Sequence, residues 1–398
     1  MEDTNIKTKP RHSLLEIWSV STKLGLTSFG GPVAHLGYFK NEYVDKRKWL
    51  DDKTYADIIA LCQFLPGPAS SQVGISIGIL RGGVLGGILS FLGFTLPSVI
   101  VLILFALLFQ NAGIGDAGWI HGLKLVAVAV VAHAVTGMGQ KLAPDKQRVT
   151  IAIIAAILTL MWPSALGQVL IILGAGLLGM GLYRNSGMPD IREMNIPVSK
   201  TAGAAAWLIF FALLAGLPLL RQLFETPSIA MMDTFYRTGS LVFGGGHVVL
   251  PLLEREVVPT GLVGAGDFLA GYGVAQAVPG PLFTFASYLG AMMGGIGGAL
   301  LATFAIFLPS FLLVIGSLPF LNEIRKRPFF QAALTAINAA VVGILLAALY
   351  NPVWTSTVKS TTDFSVALGL FGLLVYWKFP PWLVVLIGAA AGYFIQMI

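Results

Sequence analysis

The chain has 398 residues, of which 56% are hydrophobic and only 11% charged, and its mean hydropathy is +0.81. Soluble domains carry roughly 25% charged residues, so this composition excludes an ordinary water-soluble fold and makes a bilayer the solvent. The net charge of +6 sits mostly in short loops between apolar stretches, which reports orientation across a membrane and argues against a nucleic-acid partner.

Residues 1–12 are polar and basic, and no small-residue cleavage site closes the apolar run that follows; they read as a cytoplasmic tail rather than a leader. Crossing a bilayer core takes roughly 20 mostly apolar residues. Stretches of that kind recur from Leu14 almost to Ile398, so the expected fold is an all-α polytopic membrane protein with no soluble domain left over. Leu14 to Phe39 is broken at Gly30-Gly31-Pro32. Lys7, Lys9 and Arg11 precede it, and Lys40, Lys46, Arg47, Lys48 and Lys53 follow it. With both ends basic, the segment reads as a re-entrant helical hairpin, a full crossing being the alternative. Ile58 to Leu80, broken at Pro66-Gly67-Pro68 and closed by Arg81, reads the same way. Non-helical backbone at membrane depth survives only where protein buries it or a watery cavity adjoins it. The single cysteine, Cys62, excludes an internal disulfide and a thiolate metal cluster, and reads as a small packing residue.

The same pattern returns. Lys23 through Phe29-Gly30-Gly31 aligns with Arg237 through Phe243-Gly244-Gly245 at an offset of 214. Gln63-Phe-Leu-Pro66-Gly67-Pro68 aligns with Gln276-Ala-Val-Pro279-Gly280-Pro281 at 213, and Gly82-Gly83 through Pro97-Ser98 with Gly294-Gly295 through Pro309-Ser310 at 212. Three collinear blocks with near-constant offsets mark a duplicated unit. The expected organisation is a tail at 1–12, a first repeat at 13–184, a linker at 185–227 holding an extra transmembrane helix near 202–220, and a second repeat at 228–398. Corresponding loops carry opposite charge. Gln110 to Trp119 has no Lys or Arg, whereas Leu318 to Phe329 holds Arg325-Lys326-Arg327. Lys141 to Arg148 holds three basic residues, and Asn351 to Asp363 only Lys359. This reversal predicts an inverted-topology repeat, as in secondary transporters.

Lys23 and Arg237 occupy equivalent positions shortly before the Phe-Gly-Gly breaks. An intramembrane cation costs roughly 2.5–3.5 kcal/mol and is by default a functional candidate. Helices restarting at Gly30-Gly31, Gly244-Gly245, Pro66-Gly67-Pro68 and Pro279-Gly280-Pro281 offer N–H groups and the positive end of a helix dipole, which suits an anion. Gln63 and Gln276 add amide donors. His35 and His247 are candidates for proton coupling. Glu42 and Glu256, also repeat-related, lie in charged surroundings and read as ion-pair partners. Nucleotide loops, His-Glu-x-x-His, nucleophile elbows and carboxylate clusters are missing from the sequence, so no enzyme activity, cofactor or metal is expected.

Phe29-Gly-Gly-Pro32-Val-Ala-His35-Leu, Gln63-Phe-Leu-Pro-Gly-Pro68, Phe243-Gly-Gly-Gly-His247 and Gln276-Ala-Val-Pro-Gly-Pro281 together resemble the signatures of the chromate ion transporter family in its fused two-domain form. The resemblance covers essentially the whole chain. It implies export of chromate across a bacterial inner membrane, driven by the proton motive force or the membrane potential and conferring chromate resistance, with antiparallel halves. The partners it implies are the bilayer and a chromate- or sulfate-like oxyanion, with sulfate uptake or exchange, or a passive anion channel, as rival readings; a homodimer stays open. Gly246 stands where the first half has Pro32, so the halves need not contribute equally.

Overall fold

The computed structural model of the chain describes residues 14–397 apart from 29–30, 52–53, 56–57, 60, 63–64, 113–117, 163–164, 184–195, 225, 243–248 and 321–327. Among the described residues there are helices and turns but no strands. The first half contains α1 (Leu14–Thr27), α2 (Gly31–Phe39), α3 (Ala69–Ala112), α4 (Gly118–Leu142), α5 (Lys146–Met161) and α6 (Ala165–Leu182). The connecting helix α7 (Lys200–Phe224) covers the extra segment expected near 202–220. The second half contains α8 (Pro227–Leu241), α9 (Val249–Val257), α10 (Ala265–Ala277), α11 (Phe285–Ser317), α12 (Pro328–Ala348), α13 (Thr361–Val375) and α14 (Pro381–Met397). Local chemistry sets several starts. Asp145 accepts from the Arg148 N–H ahead of α5, Thr226 with Pro227 opens α8, and Ser360 and Asp363 form a capping box on α13.

The long α3 is not one straight rod. Gly82 (φ −136°, ψ 19°) and Gly83 (φ 65°, ψ −164°) leave the helical region. The Ser90 hydroxyl then donates to the Gly74 carbonyl at 2.8 Å, 16 positions away. In a straight helix those residues would stand about 24 Å apart. The chain therefore doubles back as a tight hairpin. Gly294 and Gly295 repeat the turn in α11 with nearly the same angles. The arms touch backbone to backbone, because a Cβ on Gly78 would strike the Gly86 carbonyl, and one on Gly290 the Gly298 carbonyl. In the second arm of α3, Ile100, Val101, Leu104 and Leu108 face outward as an exposed apolar stripe suited to lipid.

Each half also lends helices to the other. α1 packs into the α3 hairpin and α8 into the α11 hairpin, with Gly25 against the Phe94 carbonyl and Gly239 against that of Ile306. The two hairpins pack together, Phe91 meeting Phe307 and Phe311 at 5.0 Å each. α4 packs on α13 and α14 of the second half, while its counterpart α12 packs on α5 and α6 of the first. Close approach of Gly122 to Gly388 and Gly392 makes that contact possible. His121 Nε2, 2.6 Å from Asp363 Oδ1, ties α4 to the capped start of α13.

Candidate functional site

α1 and α2 contain 14 and 9 residues, and α8 and α9 contain 15 and 9. At about 1.5 Å per residue none spans a 30 Å hydrocarbon core, so both Phe-Gly-Gly breaks fall between short helices. Gly31 opens α2 at φ +78°. Gly30, Gly244, Gly245, Gln63 and His247 lie outside the described residues.

The Pro-Gly-Pro elements are reached from the opposite half. The Gly67 N–H donates to the Val242 carbonyl at 2.6 Å, and the Gly280 N–H donates to the Ser28 carbonyl at 2.9 Å. Gly67 and Gly280 are repeat equivalents, and so are Val242 and Ser28, which immediately precede the two Phe-Gly-Gly elements. The exchange is isologous: each half's Pro-Gly-Pro is bonded to the residue before the other half's Phe-Gly-Gly. Only glycine fits at the centre. Gly67 has φ +113° and Gly280 φ +107°; a Cβ would come within 2.9 Å of Gln72 Nε2 and Ser310 Oγ at the first, and within 2.8 Å of Ser98 Oγ at the second. Pro66 additionally accepts from Gln72 Nε2 at 2.6 Å. Pro68 leads into α3, whose first intrahelical bond runs from Gln72 N–H to the Pro68 carbonyl, so the N–H groups of Ala69, Ser70 and Ser71 precede the helical ladder. Pro279 and Pro281 flank Gly280 identically. Gln276, half-buried near the end of α10, keeps an Nε2 with no partner among the described residues.

The two cations are brought to equivalent ion pairs. Lys23 Nζ donates to Glu42 Oε2 at 2.9 Å, and Arg237 clamps both oxygens of Glu256 at 2.8 and 3.1 Å. Arg47 holds the other oxygen of Glu42 at 2.9 Å and reaches Glu16. Burial would raise the Glu42 carboxyl, but the hydrogen bonds and charges of Lys23 and Arg47 outweigh it and hold the group below its ordinary value. Arg237 also binds Asp233 at 3.0 Å, and Arg221 binds the same oxygen at 3.2 Å. Arg221, Asp233 and Arg237 line a cavity of about 740 Å³ between α7 and α8. Neither Lys23 nor Arg237 is thus an unpaired charge; each is neutralised by carboxylates of its own half. Among the described residues no His, Cys, Asp or Glu cluster could hold a metal ion.

His35 is buried in α2, its Nδ1 3.2 Å from Ser70 Oγ and its ring edge-on to Phe94 at 5.4 Å. Ser28, Ser70, Ser71, Thr95 and Ser98, which surround this region, escaped sequence reasoning because isolated hydroxyls in apolar helices carry no pattern. A usable signal existed in the repeat itself, where Ser28 aligns with Val242 and Thr95 with Phe307.

Broken, interlocked helices enclosing ion pairs and buried polar groups within an apolar bundle define a polytopic membrane transporter rather than an enzyme. The family model described as Chromate transporter matches residues 15–180 and again 229–393, and the chain belongs to that family. It is 28% identical to the chromate transport protein of Pseudomonas aeruginosa over 84% of this chain and 80% of that one. It is 27% identical to a probable chromate transport protein of Synechococcus elongatus over 98% of both, and 26% identical to an uncharacterized transporter of Methanocaldococcus jannaschii over 96% of this chain and 94% of that one. No solved structure matches the chain.

Proposed function

We propose that the protein is a secondary transporter that exports chromate from the cytoplasm across a bacterial inner membrane, driven by the proton motive force or the membrane potential. Its halves, residues 13–184 and 228–398, stand in inverted topology, joined by the linker at 185–227, with the N-terminus cytoplasmic. The observation that carries this reading is the reciprocal pair of main-chain bonds, Gly67 to Val242 and Gly280 to Ser28. Such an exchange is what a twofold relation between halves produces, and the reversed loop charges support an axis in the membrane plane. The four breaks then converge on one oxyanion site formed by Gly30, Gly31, Gly244, Gly245, the two Pro-Gly-Pro elements, Gln63 and Gln276. Lys23 and Arg237 are the candidate cations of that site, to be reached by the oxyanion in competition with the carboxylates they now hold. His35 and His247 are the candidates for coupling protons. The names of the Pseudomonas and Synechococcus relatives support chromate as the dianion.

Purified protein in proteoliposomes tests this directly. External chromate should accelerate exchange of labelled internal chromate, and an imposed proton gradient or potential should drive net flux. Failure of chromate counterflow would overturn the chromate reading, and counterflow by sulfate alone would reassign the substrate. Flux that follows the gradient with no exchange would make the protein a channel.

A further inference from the structure

Hydroxyls in buried helices ordinarily bond back to a carbonyl one turn earlier, as Ser76 does to Gln72, Ser240 to Tyr236 and Thr303 to Ala299 in this protein. Ser28, Ser71 and Thr95 do not. They are 0%, 2% and 1% exposed, and their hydroxyl oxygens have no hydrogen-bond partner among the described residues. His35, 1% exposed, leaves Nε2 equally unpartnered. Native interiors leave few polar atoms in this state, and several in one place call for a missing partner.

Contacts made by these residues and their sequence neighbours bring all four to one region of the fold. Gly280 N–H binds the Ser28 carbonyl, and the Ser28 backbone lies beside the His35 ring. His35 touches Ser70, the neighbour of Ser71, and packs on Phe94, the neighbour of Thr95. Ser98 donates to the Thr95 carbonyl at 2.9 Å, and its hydroxyl stands 2.8 Å from where a Cβ of Gly280 would be. The circuit thus closes on Gly280. The mirrored place beside Gly67 is built differently. Ser28, His35, Ser70 and Thr95 are replaced there by Val242, Val249, Phe283 and Phe307, all buried, and the counterpart of Ser71, Thr284, has its hydroxyl bonded to the Pro281 carbonyl. That side keeps unpartnered oxygens on Ser310 and Gln72 alone among the residues touching Gly67.

We propose that, given an oxyanion site at the breaks, its hydroxyl and imidazole donors come from one side: Ser28, His35, Ser71 and Thr95 near Gly280 bind the tetrahedral dianion, and their mirror residues Val242, Val249, Phe283 and Phe307 add none. This rests on the transport reading above. In the tautomer in which Ser70 donates to Nδ1, the neutral imidazole carries its proton on Nε2 and joins three hydroxyls as a donor. The first-turn N–H groups of α3 add the positive end of a helix to the same place. Three of these four donors are hydroxyls, which bind an anion without bringing a carboxylate or cation of their own.

The test is chromate exchange and chromate binding by the purified full-length protein in proteoliposomes. Ser28→Ala, Ser71→Ala and Thr95→Val should each weaken the apparent affinity about tenfold or more, the usual cost of losing one donor to a charged ligand. His35→Gln, which keeps an amide donor, should retain more affinity than His35→Phe. Ser76→Ala and Thr303→Val, which remove hydroxyls bonded along their own helices, should leave it unchanged. Size-exclusion profile and melting temperature establish that each variant is folded. Folded Ser28, Ser71 and Thr95 variants with wild-type affinity would overturn this inference alone, whereas wild-type protein that exchanges neither chromate nor sulfate would overturn the transport reading with it.

Discussion

Gly280→Ala tests the crossed arrangement of the breaks. The residue sits at φ +107°, beyond the small left-handed well that non-glycine residues tolerate, and holding alanine there costs roughly 1–3 kcal/mol. The new methyl would lie 2.8 Å from Ser98 Oγ, whose hydroxyl is committed to the Thr95 carbonyl, so either the hydroxyl or the turn must give. If the turn gives, the bond from Gly280 N–H to the Ser28 carbonyl goes too, a further loss of about 0.5–1.5 kcal/mol. The sum is roughly 1.5–4.5 kcal/mol of local destabilisation. Gly37→Ala is the control, since a Cβ at that position in α2 meets nothing within 4 Å. Melting in detergent and chromate counterflow should both be impaired in Gly280→Ala and near wild type in Gly37→Ala. Gly67→Ala should behave as Gly280→Ala does, because its φ of +113° and its contacts mirror those of Gly280. Equal stability and flux in Gly280→Ala and Gly37→Ala would refute the reasoning.

Arg237→Ala should abolish transport and lower the melting temperature, since it strips a partner from buried Asp233, and retained chromate resistance in a sensitive host would disprove its role; Lys359→Ala, on an exposed side chain, should be nearly silent. Arg237→Lys should not restore function, because one ammonium cannot reproduce a guanidinium that holds both Glu256 oxygens and Asp233 together. Glu42 is depressed below its ordinary 4.5, so its ion pair stabilises the fold above that pH and is lost as pH falls through the depressed value. Melting temperature against pH should accordingly drop on the acid side for wild type and drop less for Glu42→Gln, where Asp145 and Asp363 still titrate, with Glu42→Gln the less stable at neutral pH. Gly122→Val places a side chain against the Gly388 carbonyl and should separate α4 from α14, with a large loss of folded yield; Gly137→Val, which meets nothing within 4 Å, should be tolerated.

The equivalent ion pairs change how a dianion reaches this protein. Lys23 and Arg237 already hold Glu42 and Asp233 with Glu256, so an arriving oxyanion competes with carboxylates for them. Asp233 is 3% exposed on its side chain, and removing a partner from a charge that deep is far costlier than breaking a surface pair. The hydroxyls of Ser28, Ser71 and Thr95 carry no such competitor among the described residues, whereas the Gly67 and Gly280 N–H groups are already bonded to Val242 and Ser28.

Much of this protein was legible in its sequence. Hydropathy put it in a membrane, three collinear blocks revealed the duplication, and Gly/Pro elements marked where helices stop, because composition, spacing and backbone stereochemistry are local properties. The Gly82-Gly83 and Gly294-Gly295 pairs were visible as repeat positions, yet the bond between Ser90 and Gly74 was needed to show that the chain folds back there. The same holds at the breaks. Pro66-Gly67-Pro68 and Pro279-Gly280-Pro281 announced N–H groups at restarting helices, but the glycine N–H groups proved to be bonded to Val242 and Ser28, more than one hundred residues away. Which partner Lys23 or Arg237 takes, and which hydroxyls are left without one, depends on helices from both halves meeting in space. No pattern along one strand of sequence encodes that; only packing, which decides what each polar group can reach once water is excluded, does so.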